Sequence, residues 1–270
     1  MNKILLVGYG KMGSSLVKGW LKRGLKLKIS VIEKKNVSSV FEKNKINFFK
    51  SFEDYFLIKE SPNIVLIAVK PQQLLSIVEY LNKLHRKNMT FVSVAAGIST
   101  KWYKDRIAKE IKIVRAMPNL PASVLTGITG IFYSKNILNK EIKVINLMLK
   151  SIGEIVLLKK ENLIDIVTSI SGSGPAYFFY LTELLLKIGQ EFGLNKKDAK
   201  VLAVQTFIGS AKLLEETKKN VSELRNNVTS PGGTTEAALS VLMKQNDGFD
   251  KIMFEAIKSA VLKAKELNRV

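Results

Sequence analysis

The chain opens with the apolar run Ile4-Leu5-Leu6-Val7 and passes at once into Gly8-Tyr9-Gly10-Lys11-Met12-Gly13. The run reads as a buried strand, and Met12, Leu16, Gly19, Trp20 and Arg23 follow at helical spacing until Gly24 stops the helix. A G-x-G-x-x-G that leaves a strand and opens a helix is the fingerprint of a dinucleotide-binding βαβ unit. In such a unit Gly8 makes the tight turn, Gly10 lets the backbone approach a pyrophosphate, and Gly13 lets the helix close on the sheet. The amides of the helix start would hold the phosphates. Gly8, Tyr9, Gly10, Lys11, Met12 and Gly13 are therefore cofactor-binding candidates.

Further strands are expected at residues 28–32, 64–69, 91–94, 112–115, 127–133 and 154–157, with helices between several of them, including one at 137–149. Near-continuous apolar strands alternating with helices imply a mainly parallel sheet covered on both faces. After Lys159 no strand is evident, and helical segments run over residues 162–169, 176–192, 196–217, 222–227, 234–243 and 249–267. The expected fold is α/β: a Rossmann-type, doubly wound, mainly parallel sheet over residues 1–159, followed by an all-α domain over 160–270.

Composition narrows the chemistry. Cysteine is absent, which excludes disulfides, zinc thiolate sites, iron–sulfur ligation and a cysteine nucleophile. The single histidine, His85, rules out a histidine-cluster metal site. A bound cofactor is the remaining source of difficult chemistry. The net charge is +20, from 43 basic and 23 acidic residues, spread along the chain without a basic run longer than two. That pattern is a lysine-rich solvated surface, which gives no nucleic-acid tract but favours anionic small molecules. The short run after Lys3 makes no export signal, and the uncharged stretch over residues 166–182 is too polar for a membrane span. A cytoplasmic location is expected.

Four more constellations stand out. Glu33 ends the second strand, 20 positions after Gly13, where a carboxylate meets the adenosine ribose hydroxyls. It favours NADH by repelling a 2′-phosphate, although Lys34 and Lys35 pull towards NADPH. Ala68-Val69-Lys70-Pro71 and Val94-Ala95-Ala96-Gly97 end two strands at the carboxyl edge, where open α/β sheets bind ligands. Ser171-Gly172-Ser173-Gly174-Pro175-Ala176-Tyr177 opens an apolar helix, as a packing elbow or a ligand contact. Ser230-Pro231-Gly232-Gly233-Thr234-Thr235 is a glycine turn at a helix start, where the amides of Gly233, Thr234 and Thr235 would grip a small carboxylate.

Taken with Arg115-Ala116-Met117-Pro118-Asn119, these motifs occur in the order found in pyrroline-5-carboxylate reductases, which the chain resembles over nearly its whole length. The resemblance implies reduction of the cyclic imine 1-pyrroline-5-carboxylate to L-proline, the last step of proline synthesis, with NADPH or NADH. It implies cofactor contacts at residues 8–13, Ala68, Val69, Lys70, Pro71, Val94, Ala95 and Ala96, with Asn227 near the nicotinamide. It further implies a substrate loop at Gly233, Thr234 and Thr235, a catalytic Thr235 hydroxyl on the ring nitrogen, and Glu161 near the substrate. A homodimer or dimer-based oligomer is implied, with no metal, nucleic acid or membrane partner. Lys11 stands where many members have Asn, and Leu120 where Thr is common.

Two other readings share parts of the pattern. A β-hydroxyacid dehydrogenase-like oxidoreductase has the same two-domain plan but needs a lysine soon after a glycine-rich helix start. Residues 177–183 contain none, and Lys187 lies further on. A non-catalytic nucleotide-sensing protein would rest on the charge alone.

Overall fold

The computed structural model describes residues 1–35, 41 and 44–267. They form two compact units, Met1–Ser173 with Val261–Val270, and Gly174–Ala260.

The first unit is built on one eight-stranded sheet. Its strands are β1 (Asn2–Val7), β2 (Leu27–Ile32), β3 (Asn47–Phe49), β4 (Ile64–Ile67), β5 (Thr90–Ser93), β6 (Lys112–Met117), β7 (Gly127–Tyr133) and β8 (Gly153–Leu157). Their spatial order is β3-β2-β1-β4-β5-β6-β7-β8. The first six run in the 3-2-1-4-5-6 order of dinucleotide-binding sheets, which reverses direction between β1 and β4 and leaves a crevice at the carboxyl edge there. All pairs are parallel except β6 with β7. The link between those two is a single 3-10 stretch, Leu120–Val124, too short for a crossover helix, so the chain turns back.

Helices α1 (Lys11–Lys22), α2 (Phe52–Leu57), α3 (Val78–Leu84), α4 (Thr100–Arg106) and α5 (Asn139–Lys150) cover the sheet. Alternate residues of each central strand feed two cores, one on each face. Ile4, Leu6 and Leu66 join Leu16, Trp20, Ile145 and Leu149 on one side, while Leu5, Val7 and Ile67 join Leu81, Trp102 and Tyr103 on the other. Trp20, fully buried, donates its indole N–H to the Met148 carbonyl at 3.0 Å and ties α1 to α5. Short β3, α2 and α4 escaped the sequence reading because three to seven residues carry too little periodicity to register. After β8, helix α6 (Leu163–Val167) and one π-helical turn (Thr168–Gly172) still belong to this unit, and Val167 closes on Gly130 of β7. Compactness therefore divides the chain at Ser173, later than the change of pattern at Lys159.

The second unit is helical: α7 (Gly174–Glu191), α8 (Lys196–Thr217), α9 (Val221–Asn227) and α10 (Thr234–Leu242), with most of α11 (Phe249–Leu267). Asn195 caps α8 by accepting the Asp198 N–H at 2.9 Å, and the four-residue turn folds α7 back on α8, where Phe178 stacks on Phe207. The unit barely has a core of its own. Ala199 and Ala203 are buried, but Phe179, Tyr180, Leu185, Ile188, Phe192, Val201 and Leu202 lie in the open. No helix among the described residues is long and apolar enough to cross a membrane.

Candidate active site

Four parallel strand ends meet at the carboxyl edge of the first unit. Val7 stands opposite Ile32 on one side and Ile67 on the other, and Ile67 opposite Ser93. The ladders continue one residue into each loop: Gly8 N–H donates to the Ile32 carbonyl, Ala68 N–H to Val7, and Val94 N–H to Ile67. This brings the glycine turn, Glu33, Ala68–Pro71 and Val94–Ala96 together on one rim, as the sequence implied.

The glycine turn has little slack. Gly8 has φ +96°, and a Cβ there would lie 2.9 Å from the Ala68 carbonyl oxygen. Gly10 is different: it is exposed, and nothing stands within 4 Å of where its Cβ would be. It is also the N-cap of α1, with no side chain capping the first turn and no carboxylate in it. The first-turn amides have no intrahelical acceptors, so they face an open space ready for an anion. A cavity of about 590 Å³ beside them is lined by Tyr9, Lys11, Met12, Ser14, Ser15, Lys18, Leu120 and Ser123. Lys18 closes its floor by donating to the Ser123 carbonyl at 3.1 Å. Burial raises the Tyr9 phenol above its ordinary pKa, so it stays protonated, with its ring edge-on to Phe41. A dinucleotide fits this rim: the cradle at Gly10 is empty of side chain, and two cations, Lys11 and Lys18, line the cavity beside it.

Glu33 is fixed in the same turn. Its Oε2 accepts the Tyr9 N–H at 2.8 Å and its Oε1 the Lys35 N–H at 3.2 Å. Lys70 is exposed, and its own N–H is held by the Gln73 side chain at 3.2 Å.

Glu161 lies elsewhere in the first unit. Its Oε1 accepts the Thr100 N–H at 2.6 Å and Arg115 Nη1 at 3.0 Å, and its Oε2 accepts the Thr100 hydroxyl at 2.6 Å. Arg115 is 4% exposed, and its Nη2 is buried without a partner among the described residues.

In the second unit, Asn227 ends α9, Gly233 is the N-cap of α10, and Thr234 and Thr235 are the first residues of that helix. Gly233 N–H donates to the Ser230 carbonyl at 3.0 Å, so that amide is spent inside the turn, whereas the sequence reading expected it to grip a ligand carboxylate. The Thr234 and Thr235 amides open α10, which has no side-chain cap. Glu236 was missed: it reaches back to accept the Gly232 N–H at 2.7 Å and fixes the glycine turn. An acidic residue in a first helical turn was the available signal.

Residues 161–267 match the family described as pyrroline-5-carboxylate reductase dimerisation, and residues 3–97 match the family described as NADP oxidoreductase, coenzyme F420-dependent. Pyrroline-5-carboxylate reductase 1 of Bacillus subtilis is 32% identical over 98% of this chain and 89% of its own length. The Methanosarcina acetivorans enzyme is 33% identical over 99% and 98%. The chain belongs to the pyrroline-5-carboxylate reductase family. The solved Coxiella burnetii reductase superposes with a TM-score of 0.87 at 31% identity, covering 99% of this chain and 98% of that one. The Plasmodium falciparum reductase, solved with NADP bound, gives 0.80 at 28% identity over 99% and 98%. The reductase-family motifs sit where the sequence put them: two on the β4 and β5 loops, one at the start of α7, one at the start of α10. Among the described residues, no group of three or more His, Asp or Glu side chains could hold a metal ion.

Proposed function

We propose that this chain reduces 1-pyrroline-5-carboxylate to L-proline at the expense of NADH or NADPH, and that it works as a homodimer or a dimer-based oligomer. The observation that carries the reading is the open, uncapped glycine turn at the edge of β1, in a chain that matches a pyrroline-5-carboxylate reductase over 98% of its length. A dinucleotide held at that rim would supply the hydride for the imine carbon. The chain's own work is positional. Residues 8–13 would hold the pyrophosphate, Glu33 would meet the adenosine ribose and the rim segments 68–71 and 94–96 would support the rest of the cofactor, while Asn227 is the residue that the family resemblance assigns to the nicotinamide end.

The substrate is a small carboxylate with a ring nitrogen. The amides of Thr234 and Thr235 hold the carboxylate, within the loop that Gly233 and Glu236 shape. The Thr235 hydroxyl orients the ring nitrogen, and this makes Thr235 the catalytic residue of the reading. A protonated imine is already electrophilic and needs no strong protein acid, which suits a chain with one histidine and no cysteine. The excess of positive charge helps gather an anionic substrate and cofactor. Bare apolar side chains on the helical unit support self-association. Glu33 inclines the reading towards NADH.

Steady-state kinetics on pyrroline-5-carboxylate with each dinucleotide in turn tests the proposal. Proline formation with at least one of them is expected, and its absence with both would overturn the assignment.

A further inference from the structure

The loop between β5 and α4, residues 94–99, is pinned at both ends by polar contacts. At its start, Ser93 Oγ accepts the Ala95 N–H at 3.2 Å and is bonded to the buried Tyr103 hydroxyl at 2.7 Å. At its end, Ser99 caps α4 by accepting the Trp102 N–H, and Thr100 is gripped twice by Glu161. Glu161 is in turn held by Arg115 on β6, the neighbouring strand. Glu161 comes 61 residues after Thr100 in the chain, so this clasp is purely tertiary.

Three donors from this one cluster take three of the roughly four acceptor positions of the carboxylate. That is an unusual commitment for a group meant to meet a substrate. Arg115 deepens it: its guanidinium, at 4% exposure, is paired with Glu161, and removing that carboxylate takes away a partner of a buried charge.

We infer that Glu161, with Thr100 and Arg115, is a positioning group that fixes the β5–α4 loop for dinucleotide binding rather than a contact for the substrate. The inference rests on the proposed role of Ala95 and Ala96 as cofactor contacts. It moves Glu161 away from the substrate role that the family resemblance implied. Loosening the clasp lets the start of α4 drift and with it the loop backbone, so the loss falls on cofactor affinity.

The test uses the full-length protein. Dissociation constants for NADH and NADPH are measured by isothermal titration, and KM for pyrroline-5-carboxylate is measured at saturating dinucleotide. Glu161→Ala should raise the dissociation constant of the preferred dinucleotide roughly tenfold, about 1.4 kcal/mol, and leave KM for the imine within about twofold. Thr100→Val, which removes one hydroxyl donor, should raise it about threefold, and Thr100→Ser should restore the wild-type value. Should Glu161→Ala fail to fold, the Thr100 pair decides alone. A rise in imine KM with unchanged dinucleotide affinity overturns the inference and returns Glu161 to the substrate. So does an equal loss in both constants, which is general loosening, and so does no change in either. Wild-type protein that makes no proline defeats the proposed function instead, and leaves the titration comparison to be judged separately.

Discussion

Glu33 Oε2 and the Tyr9 N–H are 2.8 Å apart, so the carboxylate at the end of β2 is locked onto the glycine turn that follows β1. A side chain held in this way cannot swing aside for a 2′-phosphate, and its charge opposes one. Glu33→Ser should therefore shift the ratio of NADPH to NADH affinity roughly tenfold towards NADPH, the equivalent of about 1.4 kcal/mol. Direct titration of both dinucleotides against wild type and variant measures it, and an unchanged ratio would mean that Lys34 and Lys35 set the preference.

Two glycines of one motif should fail in different ways. A Cβ on Gly13 would lie 2.2 Å from the Gly8 carbonyl oxygen, inside backbone that cannot yield. Gly13→Ala should cost about 1–3 kcal/mol of folding stability even without ligand. Gly10→Ala meets nothing in the empty protein and should leave urea unfolding unchanged while weakening dinucleotide binding. If Gly10→Ala binds as wild type does, the open cradle is not the pyrophosphate seat.

Thr235 lies in the first turn of α10, and its hydroxyl is the group assigned to the ring nitrogen. Thr235→Ala should lower turnover about 10–100-fold, roughly one to three kcal/mol of transition-state interaction. Thr235→Ser should retain most of it. Kinetics of the folded variants decide, and unchanged turnover in Thr235→Ala removes the hydroxyl from the mechanism.

Lys112 Nζ and Glu141 Oε1, 2.8 Å apart, join β6 to α5. Burial pulls the Glu141 carboxyl up, but the Lys112 ammonium and the Leu138 N–H outweigh it and hold the group below its ordinary pKa. A depressed folded pKa means that the unfolded chain takes up the proton first. The contribution is full above the unfolded value, about 4.3, and fades as pH falls through the folded one. Glu141→Gln should cost about 1–3 kcal/mol at neutral pH. The gap to wild type should shrink at pH values below about 4, as followed by urea denaturation across that range.

The helical unit predicts its own dependence on assembly. Phe179 is 56% exposed and Phe192 88% exposed, in a unit whose buried side chains are few and small. Phe179→Asp should disrupt the oligomer and lower thermal stability in step, seen by light scattering and melting at several protein concentrations. A monomer as stable as wild type would show that the face is not an interface.

The glycine fingerprint after Ile4–Val7 was legible because its meaning is local: a turn, a strand before it and a helix after it. The long helices were legible too: α11 carries an apolar stripe, and α8 and α11 begin and end where the sequence reading put them. The sequence by itself also determined the α/β class and the helical second half. Tertiary structure alone decided the rest. The turn-back at β7, the tie from Glu33 to Tyr9 and the clasp of Glu161 on Thr100 and Arg115 all join atoms whose partners no residue spacing names. Periodicity reports which face a residue is on. Which polar atom it meets across that face depends on how the strands and loops come together, and that is set by the packing of the whole unit.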